Sequence, residues 1–114
     1  MNKTIEFIFD FGSPNAYLSY FTVKDVAERT GAQLKITPCL LGGIFKSTNN
    51  QPPMMNFAGV SGKNAMFGRE IERYCDRHGL SKFAMNPNFP VNTLLLMRAC
   101  VAYGRDNDVA LYIE

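Results

Sequence analysis

The sequence lacks the features that announce a charged partner, a metal site or a redox centre. Twelve Lys and Arg residues oppose ten Asp and Glu residues among 114, and no run of like charge exceeds two residues. A formal charge of +2 gives no reason to expect nucleic acid or an anionic membrane as a partner. The three cysteines, Cys39, Cys75 and Cys100, form no C-x-x-C pair, and His78 is the one histidine. Neither dithiol chemistry nor a metal site is therefore predicted, and we expect the cysteines to be small core residues.

The sequence also shows no targeting or membrane-spanning segment. No apolar stretch approaches the roughly 18 residues that a spanning helix needs. Glu6 and Asp10 interrupt the first apolar segment, so it does not read as a signal peptide. The length suits one domain, and a hydrophobic share of 46% is enough for a sizeable core. We therefore expect a globular protein located in the cytoplasm.

The first forty residues predict a strand, a helix and a second strand. Residues 4–9 are rich in β-branched and aromatic side chains, which favours a strand. Ser13 followed by Pro14 has the form of a helix start, with Ser at the N-cap and Pro at the first helical position. Gly31 is a natural end for that helix. Residues 33–37 alternate polar and apolar side chains, which predicts a second strand. The three elements together predict a βαβ unit with parallel strands and a right-handed crossover.

The remaining residues predict helices separated by irregular stretches. Residues 46–62 and 80–91 are dense in turn-forming residues, and we expect both to be irregular. Helices are predicted from Lys63 to the residue before Gly79, over residues 94–103 and from Val109 onward. Asn92 and Thr93 are possible caps of the second of these, which is apolar almost all round and should therefore be buried on several sides. Two strands and one helix cannot form a stable layer, and we expect the chain to be truncated.

Three residues are candidates for chemistry. Ser13 follows a strand and begins a helix, where unpaired backbone N–H groups favour an anion, so its hydroxyl could donate to a bound thiolate or be a plain N-cap. Asn50 precedes two prolines, and its amide could bind a peptide-like ligand or simply lie in a solvated turn. Lys63 begins a helix, where its charge opposes the dipole. It is either a surface charge or a cation placed for a ligand carboxylate.

Taken together, these segments resemble the kappa-class glutathione transferases and the 2-hydroxychromene-2-carboxylate isomerases. The first strand ends in Asp-Phe-x-Ser-Pro, and four further segments follow in the same order with similar spacing. The resemblance covers nearly all of the chain. The segments that carry it are residues 10–18, 38–46, 50–53, Lys63 with 69–71, and 89–93.

The resemblance implies an α/β fold of the thioredoxin-like, DsbA type. Residues 1–40 would be the N-terminal half of the thioredoxin-like domain, and residues 41–114 the first part of an inserted helical domain. It implies glutathione as cofactor, with Ser13 on the glutathione sulfur and Asn50 and Lys63 on the tripeptide. Ser13 stands where redox relatives carry the first Cys of C-x-x-C. The family's other strands and its cis-proline loop would follow Glu114, so these residues alone should be inactive, and the full-length protein should be a homodimer.

The function implied is isomerisation of an aromatic or conjugated small molecule by reversible thiolate addition. Residues 41–46 have the character of the bacterial isomerases and favour this function. One alternative is a kappa-like glutathione transferase, in which a stable adduct forms. Another is a non-catalytic thioredoxin-like module that binds peptides. A DsbA-type oxidoreductase is disfavoured because no C-x-x-C pair is present.

Overall fold

The computed structural model describes residues 3–114 as two strands and six helices. The first part of the chain forms β1 (Thr4–Phe9), α1 (Pro14–Thr30) and β2 (Gln33–Pro38). Helices follow over the rest of the chain. They are α2 (Leu41–Ser47), α3 (Pro53–Asn56), α4 (Lys63–His78), α5 (Leu94–Tyr103) and α6 (Val109–Ile113).

The predicted βαβ unit is present, with β1 and β2 parallel. Thr4 pairs with Gln33 and Phe9 with Pro38, so both strands end at the same edge of the sheet. Ser13 is the N-cap of α1, as predicted. Gly31 ends the helix with φ at 67°, a left-handed conformation that glycine adopts without steric cost. The local signals for the strands, the helix start and the helix end therefore act as the sequence indicates.

The described chain forms two compact units, one of the residues up to Leu41 together with 88–114, and the other of residues 42–87. In the first unit the fully buried side chains of Phe9, Tyr20 and Cys100 form the core. Phe9 and Phe11 contact at 5.0 Å between ring centroids, and Phe11 contacts Tyr112 of α6 at 5.7 Å. The aromatic side chains around β1 therefore join the strands to the last helix. The predicted division at residues 40 and 41 into a half-domain and an inserted domain stays a prediction.

Helix α4 of the second unit has the predicted bounds. Ile71 is its buried residue, and Phe67, Tyr74 and Cys75 on the same face are half-buried. The stretch at 46–62 is less irregular than predicted, because α2 extends to Ser47 and α3 occupies residues 53–56. Pro53 begins α3, at a position where its fixed φ suits a helix and its missing N–H costs nothing.

Helix α5 has the predicted bounds but not the predicted burial. Met97 and Cys100 are buried, whereas Leu95 is 78% exposed and Leu96 and Val101 are also exposed. The helix packs against β2 and α6, so among the described residues its packing is concentrated on one face. The expectation of burial on several sides is therefore wrong for this structure.

The cysteines are all free thiols. Cys100 is fully buried, and burial raises the pKa of its thiol, so it fits the predicted role as a core residue. Cys39 and Cys75 are half-buried. Within residues 3–114 no helix combines the length and apolarity needed to cross a membrane.

Candidate functional site

Ser13 lies at the edge of the sheet where both strands end, directly before the first turn of α1. Its Oγ accepts a hydrogen bond from the backbone N–H of Ala16 at 3.1 Å, which makes it a true N-cap. The residue is half-buried. A hydroxyl has one hydrogen to donate, and that of Ser13 donates to no acceptor among residues 3–114. The side chain therefore caps the helix and still has a donor available.

The backbone of the first helical turn offers one further donor. Pro14 has no N–H, the N–H of Ala16 donates to Ser13 Oγ, and that of Tyr17 donates to the Ser13 carbonyl at 3.1 Å. The N–H of Asn15 donates to none of the acceptors in the described chain. An anion at this position would therefore meet the Ser13 hydroxyl and the Asn15 N–H, in the favourable field of a helix N-terminus.

Asp10, at the end of β1, is the polar residue that sequence reasoning missed. The residue is 4% exposed. Oδ1 accepts from the N–H of Gly12 at 2.7 Å and from the hydroxyl of Thr93 at 2.9 Å, and Oδ2 accepts from the N–H of Leu41 at 2.6 Å. Thr93 occupies the N-cap position of α5, as predicted, but its hydroxyl donates to Asp10. The side-chain oxygen that accepts from the N–H of Leu94 is that of Asn92. An Asp directly after a strand is the one sequence signal that could have indicated this cluster.

Asn50 lies in the second compact unit, in an exposed turn. Its Oδ1 accepts from the N–H of Gln51 at 2.8 Å and from the side-chain amide of Asn56 at 3.3 Å. The oxygen is thus engaged within the turn, while its Nδ2 donates to no acceptor in the described part of the chain. The arrangement fixes the amide plane of Asn50 and leaves its two N–H groups for a ligand.

Lys63 lies in the same unit as Asn50 and contacts the end of the segment that follows it. Asn56, which bonds Asn50, is followed by Phe57, and the Lys63 ammonium lies 5.4 Å from the centroid of the Phe57 ring. This is a cation–π contact. No carboxylate pairs with Lys63 among residues 3–114. Asn50 and Lys63 therefore contact two consecutive residues, Asn56 and Phe57, and both offer donors.

An open groove of about 430 Å³ adjoins the cluster around Asp10. The groove is lined by Leu40 and Leu94. These residues directly precede Leu41 and follow Thr93, two of the residues that donate to Asp10. Its wall is apolar, except that Arg98 and Arg105 of the α5 region also contribute. Neither guanidinium has an ion pair within the described residues. The groove therefore combines apolar surface with uncompensated positive charge.

Comparison with known proteins identifies the fold family. Residues 4–112 match the DSBA-like thioredoxin domain. The chain belongs to this family. This DsbA-like chain is 30% identical over 111 residues to the 2-hydroxychromene-2-carboxylate isomerase of Sphingobium xenophagum. The aligned region is 96% of this chain and 53% of that enzyme, so the chain spans about half the length of the curated relative it matches. No solved structure matches.

The match confirms the predicted DsbA-type fold and the likeness to the isomerases. The roles of Ser13, Asn50 and Lys63, the cytoplasmic location and the homodimer stay predictions. Glutathione is the ligand that the resemblance implies, and the donors beside Ser13 fit its sulfur. A thiolate accepts hydrogen bonds and has none to donate, and the free donors here are one hydroxyl and one amide.

Proposed function

We propose that this protein is a glutathione-dependent isomerase of an aromatic or conjugated small molecule. The observation that carries the proposal is the Ser13 hydroxyl, which caps α1 through its oxygen and keeps its hydrogen free for an anion. The similarity to a protein named 2-hydroxychromene-2-carboxylate isomerase supports the reaction class. The absence of a C-x-x-C pair argues against disulfide exchange as the main activity.

Ser13 acts by making the anionic form of a thiol more stable. A free thiol has a pKa of about 8.5, so only a small fraction is ionised at neutral pH. A hydroxyl that donates to the sulfur stabilises the thiolate and not the thiol, and the helix N-terminus adds to this preference. Both effects lower the pKa of the bound thiol. Ser13 itself needs no base, because its hydrogen stays on Oγ throughout.

Glutathione, when bound, would supply a thiolate that can add reversibly to a conjugated carbon of the substrate. The addition turns a double bond of the substrate into a single bond, about which rotation is possible until the thiolate leaves again. Asn50 presents two N–H donors, which suit a carbonyl of the tripeptide. Lys63 presents an ammonium without a counter-charge in the described chain, which suits a carboxylate. Each of these roles can be tested separately by substitution.

The groove beside the Asp10 cluster is our candidate for the binding site of the substrate. Its apolar wall suits the body of an aromatic molecule, and its volume of about 430 Å³ lies in the range of small-molecule sites. Arg98 and Arg105 suit an acidic group, such as the carboxylate in the substrate that the relative's name gives. Replacing either arginine with Gln should raise KM for a carboxylate substrate more than for its amide.

The test uses a cis/trans pair of an unsaturated aromatic carboxylate, with and without glutathione. Interconversion of the isomers that requires glutathione, with glutathione recovered unchanged, supports the isomerase. A product that retains glutathione would instead indicate the kappa-like transferase. Binding of peptides with no reaction would indicate the non-catalytic module. Ser13→Ala is the control, since the isomerase should lose most of its rate in that variant while a peptide-binding module should be unaffected.

A further inference from the structure

The turn between β1 and α1 is held by one buried carboxylate. We propose that Asp10 is a positioning residue, which holds the Ser13 hydroxyl where a bound thiolate meets it; this inference rests on the proposed function. Asp10 receives hydrogen bonds from the turn itself, from the start of α2 and from the residue before α5. One side chain thus joins the segment that carries Ser13 to Leu41 and Thr93, which are distant from it in sequence.

Both the main chain and the side chain of Asp10 fix the turn. Its carbonyl accepts from the N–H of Ser13 at 3.0 Å, and its Oδ1 accepts from the N–H of Gly12 at 2.7 Å. The two amides that precede the helix are therefore both held by the same residue. Ser13 consequently keeps the extended conformation, with φ at −110° and ψ at 106°, from which its Oγ reaches Ala16.

Gly12 allows this close arrangement. A Cβ at this position would lie 3.3 Å from Asp10 Oδ1 and also 3.3 Å from Oγ1 and Cγ2 of Thr93. These distances are tighter than ordinary van der Waals contact, so Asp10 and Thr93 would have to shift by a few tenths of an ångström to admit a side chain there. The glycine is thus part of the arrangement that seats the carboxylate.

Asp10 has no role in contacting the ligand. Both of its carboxylate oxygens are engaged by protein donors, and the residue is buried. A buried carboxylate is tolerated when its oxygens are hydrogen-bonded, and removing one donor leaves it less well satisfied. Thr93, itself 5% exposed, is the donor most distant in sequence. Loss of its hydroxyl should therefore shift Asp10 and, through the turn, Ser13.

Thr93→Val is the decisive variant, because it removes one hydrogen bond to Asp10 at nearly constant shape. We expect the pKa of the bound glutathione thiol, read from thiolate ultraviolet absorbance, to rise by about half to one unit, a three- to tenfold lower thiolate-to-thiol ratio. Thr93→Ser should restore the wild-type pKa. Thr37→Val is the matched control, since the Thr37 hydroxyl donates to another carboxylate, that of Glu6, at 2.7 Å. It should leave the thiol pKa unchanged.

A second measurement needs no ligand. The amide of Ala16 donates to Ser13 Oγ, so its hydrogen exchange reports whether that hydroxyl keeps its place. We expect faster exchange at Ala16 in Thr93→Val and not in Thr37→Val. Unchanged thiol pKa together with unchanged Ala16 exchange in Thr93→Val would overturn the inference. If the wild type fails to lower the thiol pKa, the proposed function is wrong, and Ala16 exchange alone then decides whether Asp10 positions Ser13.

Discussion

Substitution of Ser13 by Asp should separate helix capping from thiolate stabilisation. The Ser13 oxygen accepts from the N–H of Ala16, and its hydrogen is free. Asp caps helices about as well as Ser, but an ionised carboxylate has no hydrogen to donate. Ser13→Ala removes both the cap and the donor. The two variants thus lose the same donor, and only Ala loses the cap.

The wild type and the two variants should rank differently in stability and in thiol pKa. Losing the cap in Ser13→Ala should lower the free energy of unfolding by about 1 kcal/mol, whereas Ser13→Asp should stay near the wild type. Losing one hydrogen bond to an anion is worth about 1.5–3 kcal/mol, or roughly one to two pKa units. In Ser13→Ala the N–H of Ala16 becomes free and offsets part of this loss. In Ser13→Asp the new negative charge repels the thiolate by about 1–4 kcal/mol more at a separation of ~4 Å.

The assay is an ultraviolet titration of bound glutathione beside urea unfolding of the same samples. The thiol pKa should increase from the wild type to Ser13→Ala and again to Ser13→Asp, while Ser13→Asp should be more stable than Ser13→Ala. Asp108→Ala, which removes the cap of α6, is the matched control and should leave the thiol pKa unchanged. A thiol pKa in Ser13→Asp equal to that of the wild type would refute the reasoning, since it would show that the anion does not lie beside residue 13.

Three further outcomes are expected. Lys63→Met should weaken glutathione binding, measured by calorimetry, by about 1.5- to 5-fold, which is the strength of an exposed ion pair. The effect should be smaller in high salt, and Lys46→Met is the control. Gly12→Ala should destabilise by about 1–3 kcal/mol in urea unfolding because its Cβ crowds Asp10, while Gly42→Ala, in open space within α2, should stabilise by about 0.5–1 kcal/mol. The pKa of Glu114 is lowered below 4.5, chiefly by its hydrogen bond with the Lys24 ammonium and then by that with the Tyr20 hydroxyl. The stability that this carboxylate adds should therefore be present above pH 4.5 and lost as the pH falls through its folded pKa. Glu114→Gln should flatten this acidic part of a plot of thermal-unfolding temperature against pH.

The part of the fold that the sequence predicts well is the part specified by local signals. Residues 4–9 form a strand because of their β-branched and aromatic side chains, Ser13 and Pro14 begin a helix, and Gly31 ends it. Each signal acts within a few residues. The bounds of α4 and α5 are set in the same way, by apolar spacing and by glycines. Burial of α5 was not predictable from its composition, because it depends on which elements pack against it.

In the candidate site, too, some residues can be predicted from local signals and others cannot. Ser13 could be predicted as a helix cap and an anion donor, since both properties follow from its immediate neighbours. Two of the three donors to the Asp10 carboxylate lie 31 and 83 residues away in the sequence, and no local pattern indicates that they meet. The same contact explains why α2 begins at Leu41 despite the two glycines that follow, because Asp10 accepts from an N–H that the helix itself cannot satisfy. A residue that contacts a ligand can thus be predicted from local chemistry, whereas the residue that holds it in position depends on the folded chain.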